Sequence, residues 1–351
     1  MQMADNRYPD ATHCQALIIG AGPAGLFAAF QLGLLEVKAQ IIDCLPEAGG
    51  QCAQLYPDKL IYDLPGIPAC SGLELRDRLL QQLEPFHIPI HYKTQVTALE
   101  QIDAAHFYVK TSQAQEFICQ KIIIAAGTGA FLPKKLKLPG LEQYEGTQVF
   151  YFEAPSSMPK DARVVVYGAD DHCFEMVREL STKHSVTWIY RRYELELERY
   201  SPSDLDTLVH HGQVQRITAQ IRGFTRNEGR LSGFELLDSQ GEEYVLPGDY
   251  LIASTGLSPQ LGPIAHWGLA LQQKLIPVHP GTFVTDIPGI YAVGDINTYV
   301  GKKKLIVCGF HEASLAAYDI GSHLNPSRQE LLYTTSSSKL QELLGVKNQS
   351  H

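Results

Sequence analysis

Residues 20–25 read Gly20-Ala21-Gly22-Pro23-Ala24-Gly25, and this stretch decides the fold. An apolar run at residues 16–19 precedes it, and residues 26–32, which follow it, favour a helix. A buried strand, a tight glycine turn and a helix start make the dinucleotide-binding fingerprint, in which the helix N-terminus receives a pyrophosphate. The first glycine permits the turn, the second lets the backbone approach the phosphates, and the third allows close helix–strand packing.

The acidic residue Asp43 supports this interpretation. It ends the next predicted strand, residues 40–43, close to the spacing of about 20 residues at which dinucleotide-binding units carry a ribose-binding carboxylate. Strand, turn, helix and carboxylate together predict a parallel α/β sheet that binds a dinucleotide, with the pyrophosphate at the turn and a ribose at Asp43.

Composition and charge narrow the classes of function. The 351 residues are 44% hydrophobic and 19% charged, ordinary values for a globular chain long enough for two domains. The formal net charge of −9 argues against nucleic acid as a partner, because phosphate contacts require a basic surface. The seven cysteines show no C-x-x-C spacing, so we expect no metal site and no redox-active dithiol.

No segment of the sequence has the length and hydrophobicity of a membrane span. Such a span needs about 20 consecutive apolar residues, and no run approaches this length. Residues 1–14 are polar and lack the apolar region of a signal peptide. Because scattered cysteines are typical of a reducing compartment, we expect a cytoplasmic protein with no membrane partner.

A second strand–turn–helix unit follows in the middle of the chain. Its predicted strand ends at Gly168, its helix covers residues 174–180, and its next strand leads into Arg191 and Arg192. Two such starts in one chain predict two nucleotide-binding modules. Turn residues on either side place the second module at residues 146–259.

The ordered set of motifs along the chain resembles that of the two-dinucleotide-binding-domain flavoproteins. More specifically, it resembles the ferredoxin–NADP⁺ reductases that are built on the thioredoxin-reductase fold, and the resemblance covers nearly the whole chain. The stretches that carry it are Leu45-Pro46-Glu47-x-Gly49-Gly50-Gln51 with Tyr56-Pro57, Ile61-Tyr62-Asp63-x-Pro65-Gly66, Ala125-Ala126-Gly127 with Gly129-Ala130-Phe131, Gly262-Pro263-Ile264 with Trp267-Gly268-Leu269, Ala292-Val293-Gly294-Asp295, and Gly301-Lys302-x-Lys304-Leu305-Ile306 with Gly309-Phe310-x-Glu312-Ala313.

The resemblance implies an α/β fold with two Rossmann-like three-layer nucleotide-binding domains. The FAD-binding domain is then discontinuous, with residues 1–145 and 260–351, and the NAD(P)H-binding-like domain, residues 146–259, interrupts it. Residues 327–351 are implied to form a C-terminal extension over the flavin. Because members of this family are homodimers, we also expect a homodimer.

The resemblance also implies roles for individual residues. Tyr56 is expected to stack on one flavin face and Tyr333 on the other, with the Thr335 hydroxyl near the flavin N5 edge, so these three are the expected catalytic residues. The other implied FAD contacts are Gly20, Gly22, Ala24 and Gly25 with the pyrophosphate, Asp43 with the adenosine ribose, Val96 with the adenine, Gln51 with the flavin side, Phe131 beside the cofactor, and Asp295 with the ribityl chain or pyrophosphate.

The implied NADPH site departs from the family pattern. Gly168 retains the turn, and Arg191 and Arg192 stand where the family holds the 2′-phosphate of NADPH. Asp170 replaces the second glycine in Gly168-Ala169-Asp170-Asp171-His172-Cys173 and adds bulk and negative charge. Two like charges at about 4 Å repel by about 1–4 kcal/mol, so Asp170 puts the use of NADPH in doubt.

The expected reaction follows from these residues and from the lack of a C-x-x-C motif before the second glycine turn. A thioredoxin reductase needs a C-x-x-C shortly before the second glycine turn, and residues 152–157 contain no cysteine. Electron transfer between NADPH and a ferredoxin or flavodoxin is therefore expected, with lysines at 134, 135, 137 and 302–304 as docking groups. Two alternatives stay open: a flavoprotein with an impaired NADPH site that uses another carrier, and a non-catalytic flavin-binding partner protein.

Overall fold

The computed structural model describes residues 7–191, 195, 197, 200–210, 214–326 and 337–345, with the backbone alone at residues 130–132, 202, 205, 208, 210 and 257–259. The chain divides into two compact units. The first unit consists of Met1–Ala130 and Gln260–His351, and the second unit is Phe131–Pro259.

Among the described residues, strands and α-helices alternate only at the start of each unit, and runs of consecutive strands follow at residues 90–167 and 214–298. The strands are β1 (Thr12–Ile19), β2 (Ala39–Ile42), β3 (Ile90–His91), β4 (Val96–Gln101), β5 (Phe107–Thr111), β6 (Glu116–Ile124), β7 (Ala130–Pro133), β8 (Val149–Tyr151), β9 (Arg163–Tyr167), β10 (Ser185–Tyr190), β11 (Val214–Asn227), β12 (Arg230–Asp238), β13 (Glu243–Pro247), β14 (Tyr250–Ala253), β15 (Leu257–Gln260), β16 (Ile276–Pro277), β17 (Ile290–Ala292) and β18 (Asn297–Thr298). The α-helices are α1 (Pro23–Leu34), α2 (Gly50–Gln54), α3 (Gly72–Leu83), α4 (Asp171–Leu180), α5 (Pro202–His210), α6 (Ile306–Leu324) and α7 (Ser338–Leu343).

The sheet of the first unit is parallel at its centre, and three of its strands end at the same level. Ile19 of β1 pairs with Ile42 of β2 on one side and with Ile124 of β6 on the other. The strand order is β3-β2-β1-β6-β5-β4, and β17 pairs in parallel with the last residues of β6. This register brings the segments that follow β1, β2 and β6 to one edge of the sheet, which is where ligands bind in open α/β sheets.

Both faces of this sheet are buried, which explains the nearly continuous apolar runs of its central strands. The helical side chains on one face form a core with Ile18 and Ile123, and residues such as Trp267 and Ile276 pack against the other face. Helix α3 begins with a capping box: Ser71 Oγ accepts from the Glu74 N–H at 3.1 Å, and the Glu74 carboxylate accepts from the Ser71 N–H at 2.8 Å.

The second unit repeats the parallel arrangement in the order β13-β12-β11-β10-β9-β14-β8. Strands β8, β14, β9, β10 and the start of β11 are parallel, whereas β11, β12 and β13 form an antiparallel meander. Trp188, 1% exposed, lies in a core that α4 covers. The chain enters this unit through β7 and leaves it through β15, and these two strands pair with each other.

A search of the described residues finds no helix that combines the length and the hydrophobicity needed to cross a bilayer.

Candidate functional site

The first glycine turn is packed so closely that two of its positions require glycine. Gly20 has φ of +112°, and a Cβ added there would lie 2.4 Å from the carbonyl oxygen of Ala125. A Cβ at Gly25 would lie 1.9 Å from the carbonyl oxygen of Gly20. Both contacts are with backbone atoms, which cannot move aside as the end of a side chain can. Glycine therefore holds β1, α1 and the end of β6 together here.

The N-terminus of α1 is open to a ligand. Gly22 is its N-cap, with φ −70° and ψ 177°, and no side chain caps the helix. Its first turn contains no acidic residue, and Gly50 approaches so closely that an added Cβ would lie 3.0 Å from the Gly22 Cα. The amide groups of an uncapped first turn, together with the helix dipole, favour an anion such as a pyrophosphate.

Asp43 lies beside this turn, directly after β2, and is 7% exposed. One carboxylate oxygen accepts from the Ala21 N–H at 2.5 Å and the other from the Leu45 N–H at 2.7 Å. Burial raises the pKa of this carboxyl, and the two amide hydrogen bonds oppose the rise. The carboxylate is therefore fixed in direction at the edge of the sheet where a ribose is expected.

The Gly294–Asp295 segment reaches the same turn from the C-terminal part of the chain. A Cβ at Gly294 would lie 3.2 Å from the Ala24 Cβ, so the two segments are in contact. A Cβ at Gly309, in the first turn of α6, would lie 3.3 Å from the same atom. The Asp295 carboxylate makes no hydrogen bond to any described residue, which leaves it available to a ligand.

The remaining predicted contacts in the first unit spread along the same edge. The Gln51 amide donates to the Thr128 hydroxyl at 3.0 Å, just after the end of β6. Val96 is 3% exposed at the start of β4. Tyr56 is 52% exposed, and its ring lies 5.0 Å from the Lys59 ammonium. The structure thus brings Gly20, Gly22, Ala24, Gly25, Asp43 and Asp295 together, with Tyr56 on an exposed loop.

These residues fit the adenosine, pyrophosphate and ribityl parts of FAD. The open helix N-terminus suits the pyrophosphate, and the carboxylates of Asp43 and Asp295, on two segments that contact the same turn, are acceptors for hydroxyl groups. The side chains of Phe131, Arg192, Tyr333 and Thr335 lie outside the described residues, and their expected roles stay predictions.

The second glycine turn has the same backbone path with a different chemistry. A Cβ at Gly168 would lie 2.1 Å from the Ser254 carbonyl oxygen, so this glycine is also required. Asp170 is the N-cap of α4: its carboxylate accepts from the Cys173 N–H at 2.9 Å and from the Ser254 hydroxyl at 3.3 Å. Arg191 is exposed directly after β10. The turn fits a dinucleotide at Gly168 and opposes an anion at Asp170.

One group of functional interest was not predicted. Lys302 was expected to be a surface docking lysine, but its side chain is 8% exposed and pairs with the fully buried Glu312 at 2.5 Å. The available signal was Glu312 itself, the one acidic residue in the first two turns of α6, whose other residues are apolar except for His311.

The fold and this site define a flavin- and pyridine-nucleotide-dependent oxidoreductase. The chain belongs to the pyridine nucleotide-disulphide oxidoreductase family, whose profile matches residues 14–315. It is 44% identical over 339 residues to a ferredoxin–NADP reductase of Polaromonas sp. strain JS666, covering 95% of this chain and 93% of the relative. It is 43% identical over 355 residues to ferredoxin–NADP reductase 2 of Cupriavidus metallidurans, covering 97% of each.

Solved structures agree on the fold. A thioredoxin reductase from Lactococcus lactis is 23% identical, with a TM-score of 0.55 over 88% of this chain and 99% of that protein. A bacillithiol disulfide reductase from Staphylococcus aureus is 17% identical, with a TM-score of 0.58 over 91% of this chain and 100% of that protein. The predicted fold class and the resemblance to ferredoxin–NADP reductases of the thioredoxin-reductase type are confirmed.

Proposed function

We propose that this chain is an FAD-dependent ferredoxin–NADP⁺ reductase that transfers electrons between NADPH and a ferredoxin or flavodoxin. The observation that carries the proposal is the open N-terminus of α1, which shares one glycine turn with the segments of two acceptor carboxylates, Asp43 and Asp295. The first unit is then the FAD-binding domain, and the second unit is the domain that receives NADPH.

Each residue of the first unit has a simple task at this site. The first-turn amides of α1 bind the pyrophosphate, Asp43 accepts a hydrogen bond from the adenosine ribose, and Asp295 accepts one from the ribityl chain. When bound, the flavin accepts a hydride and releases single electrons, so the protein needs no nucleophile or metal of its own. The protein binds the cofactor and fixes its orientation.

Tyr56, Tyr333 and Thr335 surround the reacting ring in this proposal. Tyr56 stacks on one flavin face and Tyr333 on the other, which excludes water and sets the ring's position. Thr335 presents a hydroxyl near N5, the atom that exchanges the hydride. Helix α6 has no capping side chain and no acidic residue in its first turn, so its N-terminus favours negative charge on the flavin.

The carrier protein is expected to meet a basic surface. Lys303 and Lys304 are exposed, and they directly follow Lys302, whose ammonium donates to the Gly294 carbonyl. Val300, three residues before Lys303, is 100% exposed. An acidic ferredoxin or flavodoxin complements these charges, and its association slows as salt rises. We further propose that the protein is a cytoplasmic homodimer, as is expected from the family.

Anaerobic mixing with NADPH or NADH tests the function. The purified protein should carry FAD, and NADPH should bleach the flavin absorbance faster than NADH. Addition of an oxidised ferredoxin should then restore the absorbance. A protein that takes up no FAD, or a flavin that neither nucleotide reduces at millimolar concentration, would contradict the proposal.

A second candidate function is favoured by one observation, the carboxylate cap on α4. If Asp170 excludes NADPH, the chain is a flavoprotein reduced by another carrier. Reduction of the bound FAD by a reduced ferredoxin, without any reduction by NADPH, would identify this case.

A further inference from the structure

A buried polar network holds the segment that carries Asp295. Glu312, on α6, is 0% exposed, and its carboxylate accepts four hydrogen bonds. One oxygen accepts from the Gly294 N–H at 2.7 Å and from the Asn297 amide at 2.8 Å. The other accepts from the Tyr299 hydroxyl at 3.0 Å and from the Lys302 ammonium at 2.5 Å. Every lone-pair direction of the carboxylate is therefore used.

Lys302 closes the network onto the same residue. Its ammonium also donates to the Gly294 carbonyl oxygen at 2.8 Å. The amide of Gly294 is thus held by Glu312 and its carbonyl by Lys302, and the carbonyl belongs to the peptide bond that leads into Asp295. A residue with φ of +77° and both polar atoms fixed has little freedom to rotate.

Burial energy alone does not explain such a network. Replacing a buried ion pair by apolar residues of similar volume is often neutral or stabilising, so a buried pair is weak evidence for a role in stability. Here Glu312 accepts from the Gly294 N–H and Lys302 donates to the Gly294 carbonyl, beside the first glycine turn. The next carboxylate, that of Asp295, has no hydrogen-bond partner among the described residues. The arrangement fixes the backbone of Gly294 and so the direction in which Asp295 leaves it at the cofactor site.

We propose that Lys302 and Glu312 are positioning residues that hold the Asp295 carboxylate in place for the ribityl–pyrophosphate part of FAD. The proposal rests on the proposed FAD site. It goes beyond that site by naming two residues that do not contact the cofactor and yet set its affinity, through the Gly294 peptide.

A double-mutant cycle on FAD affinity tests the proposal. Apoprotein of the wild type, Lys302→Met, Asp295→Ala and the double variant would be titrated with FAD, and the quenching of flavin fluorescence would report binding. Lys302→Met should weaken FAD binding by about tenfold to hundredfold in the wild-type background, because charge-assisted hydrogen bonds are lost. In the Asp295→Ala background the same change should have almost no further effect, since Lys302 then has no acceptor side chain to position.

Two further variants keep the test decisive if Lys302→Met folds poorly. Lys302→Arg restores the charge and should recover part of the affinity. Tyr299→Phe removes one hydrogen bond while its ring keeps its edge-on contact with Phe283 at 5.4 Å, and it should weaken FAD binding by about two- to tenfold. Arg163→Met is the matched control, because it breaks the Arg163–Asp249 pair of the second unit at 2.6 Å and should leave FAD affinity unchanged.

The outcomes separate the proposal from the function on which it rests. If wild-type apoprotein binds no FAD, the proposed function fails. If the wild type binds FAD and folded Lys302→Met and Tyr299→Phe bind it equally well, the positioning role is wrong. It is also wrong if Lys302→Met weakens binding by the same factor with and without Asp295, because a merely structural effect is additive.

Discussion

The two glycine turns share a backbone and differ in one side chain. Gly22 and Asp170 occupy the same place, the N-cap of the helix that follows the turn, with φ and ψ of −70° and 177° in one and −99° and 173° in the other. In both turns the first glycine packs against a carbonyl oxygen of a neighbouring strand end. At Gly22 the helix amides are open, whereas at Asp170 a carboxylate accepts from the Cys173 N–H.

This difference separates the requirements of folding from those of binding. The conformation at the N-cap is extended, and any residue can adopt it, so glycine is not needed there for the fold. An aspartate even caps the helix, which stabilises it by about 1 kcal/mol. Glycine at position 22 leaves room for a phosphate to approach the backbone. A side chain at this position can therefore preserve the backbone of the turn while it weakens the binding of a dinucleotide.

Introducing the second turn's side chain into the first should have the largest effect. Gly22→Asp places a carboxylate where the pyrophosphate is expected, at a cost of about 1–4 kcal/mol, or about five-fold to several hundred-fold in affinity. FAD content after purification and FAD titration of the apoprotein measure the loss. Gly22→Asn carries the same bulk without the charge and should lose less; equal FAD affinity in all three proteins would refute the comparison.

The reverse substitution should improve the second site. Asp170→Gly opens the N-terminus of α4 and should raise NADPH affinity by about tenfold, because the like charge is removed. Its effect should be smaller than that of Gly22→Asp, since at this strand end Arg216 is already engaged with the Tyr190 hydroxyl, at 3.1 Å, and Arg191 is left as an exposed cation. The concentration dependence of flavin reduction by NADPH measures the gain.

Asp170→Asn distinguishes charge from capping in the same turn. Asparagine keeps an acceptor for the Cys173 N–H, so it should retain most of the helix stability and still bind NADPH more tightly than the wild type. Asp170→Gly should lower the free energy of unfolding of the second unit by a few tenths of a kcal/mol up to about 1 kcal/mol. An NADPH response that is the same in the wild type and both variants would show that Asp170 does not control this site.

The sequence predicted the first turn better than the second for a physical reason. At residues 20–25 the strand, turn, helix and Asp43 are all local or follow a fixed spacing. The cap at Asp170 also involves Ser254, whose hydroxyl is brought to it by β14 more than eighty residues later. The capping bond from the Cys173 N–H is local, and aspartate is a preferred N-cap residue, so a sequence signal for the cap existed and was missed. Only the Ser254 contact lies beyond the reach of a local pattern.

Contacts with a distant segment also explain why Lys302 was predicted to lie on the surface, although its side chain is buried. A lysine within Gly301-Lys302-Lys303-Lys304 is typical of a solvated surface. Its burial depends on the Glu312 carboxylate, which contacts it from the second turn of α6. No local sequence pattern around Lys302 predicts this contact. Contacts between distant segments determine which charged side chains are buried and paired, whereas local motifs indicate the strands, turns and helices.

Substitution of Tyr56 tests the proposed stacking on the flavin, and we expect a smaller effect than at the two glycine turns. Its ring is 52% exposed, so Tyr56→Ala should change the stability of the apoprotein little while shifting the visible spectrum of the bound flavin. Tyr62→Ala is the matched control from the same loop, because Tyr62 is 79% exposed and is not expected to contact the flavin. A flavin spectrum that is identical in Tyr56→Ala and the wild type would count against stacking.

The pH dependence of apoprotein stability should give the smallest effect and isolates the Asp43 carboxylate. Burial raises its pKa above the ordinary value for aspartate, so protonation favours the folded state. Its contribution to stability is greatest below that ordinary pKa and declines as the pH rises through the folded-state pKa. The melting temperature of the wild type minus that of Asp43→Asn should therefore fall with rising pH, by no more than about 4 °C.

Asp103 is the control with the opposite sign. It is exposed, and hydrogen bonds from the Ala105 N–H, at 2.7 Å, and from His106 lower its pKa. Its contribution is therefore lost as the pH falls, and the corresponding difference for Asp103→Asn should grow with rising pH. If the Asp43 difference also grew, the two amide hydrogen bonds to the carboxylate would outweigh the effect of its burial.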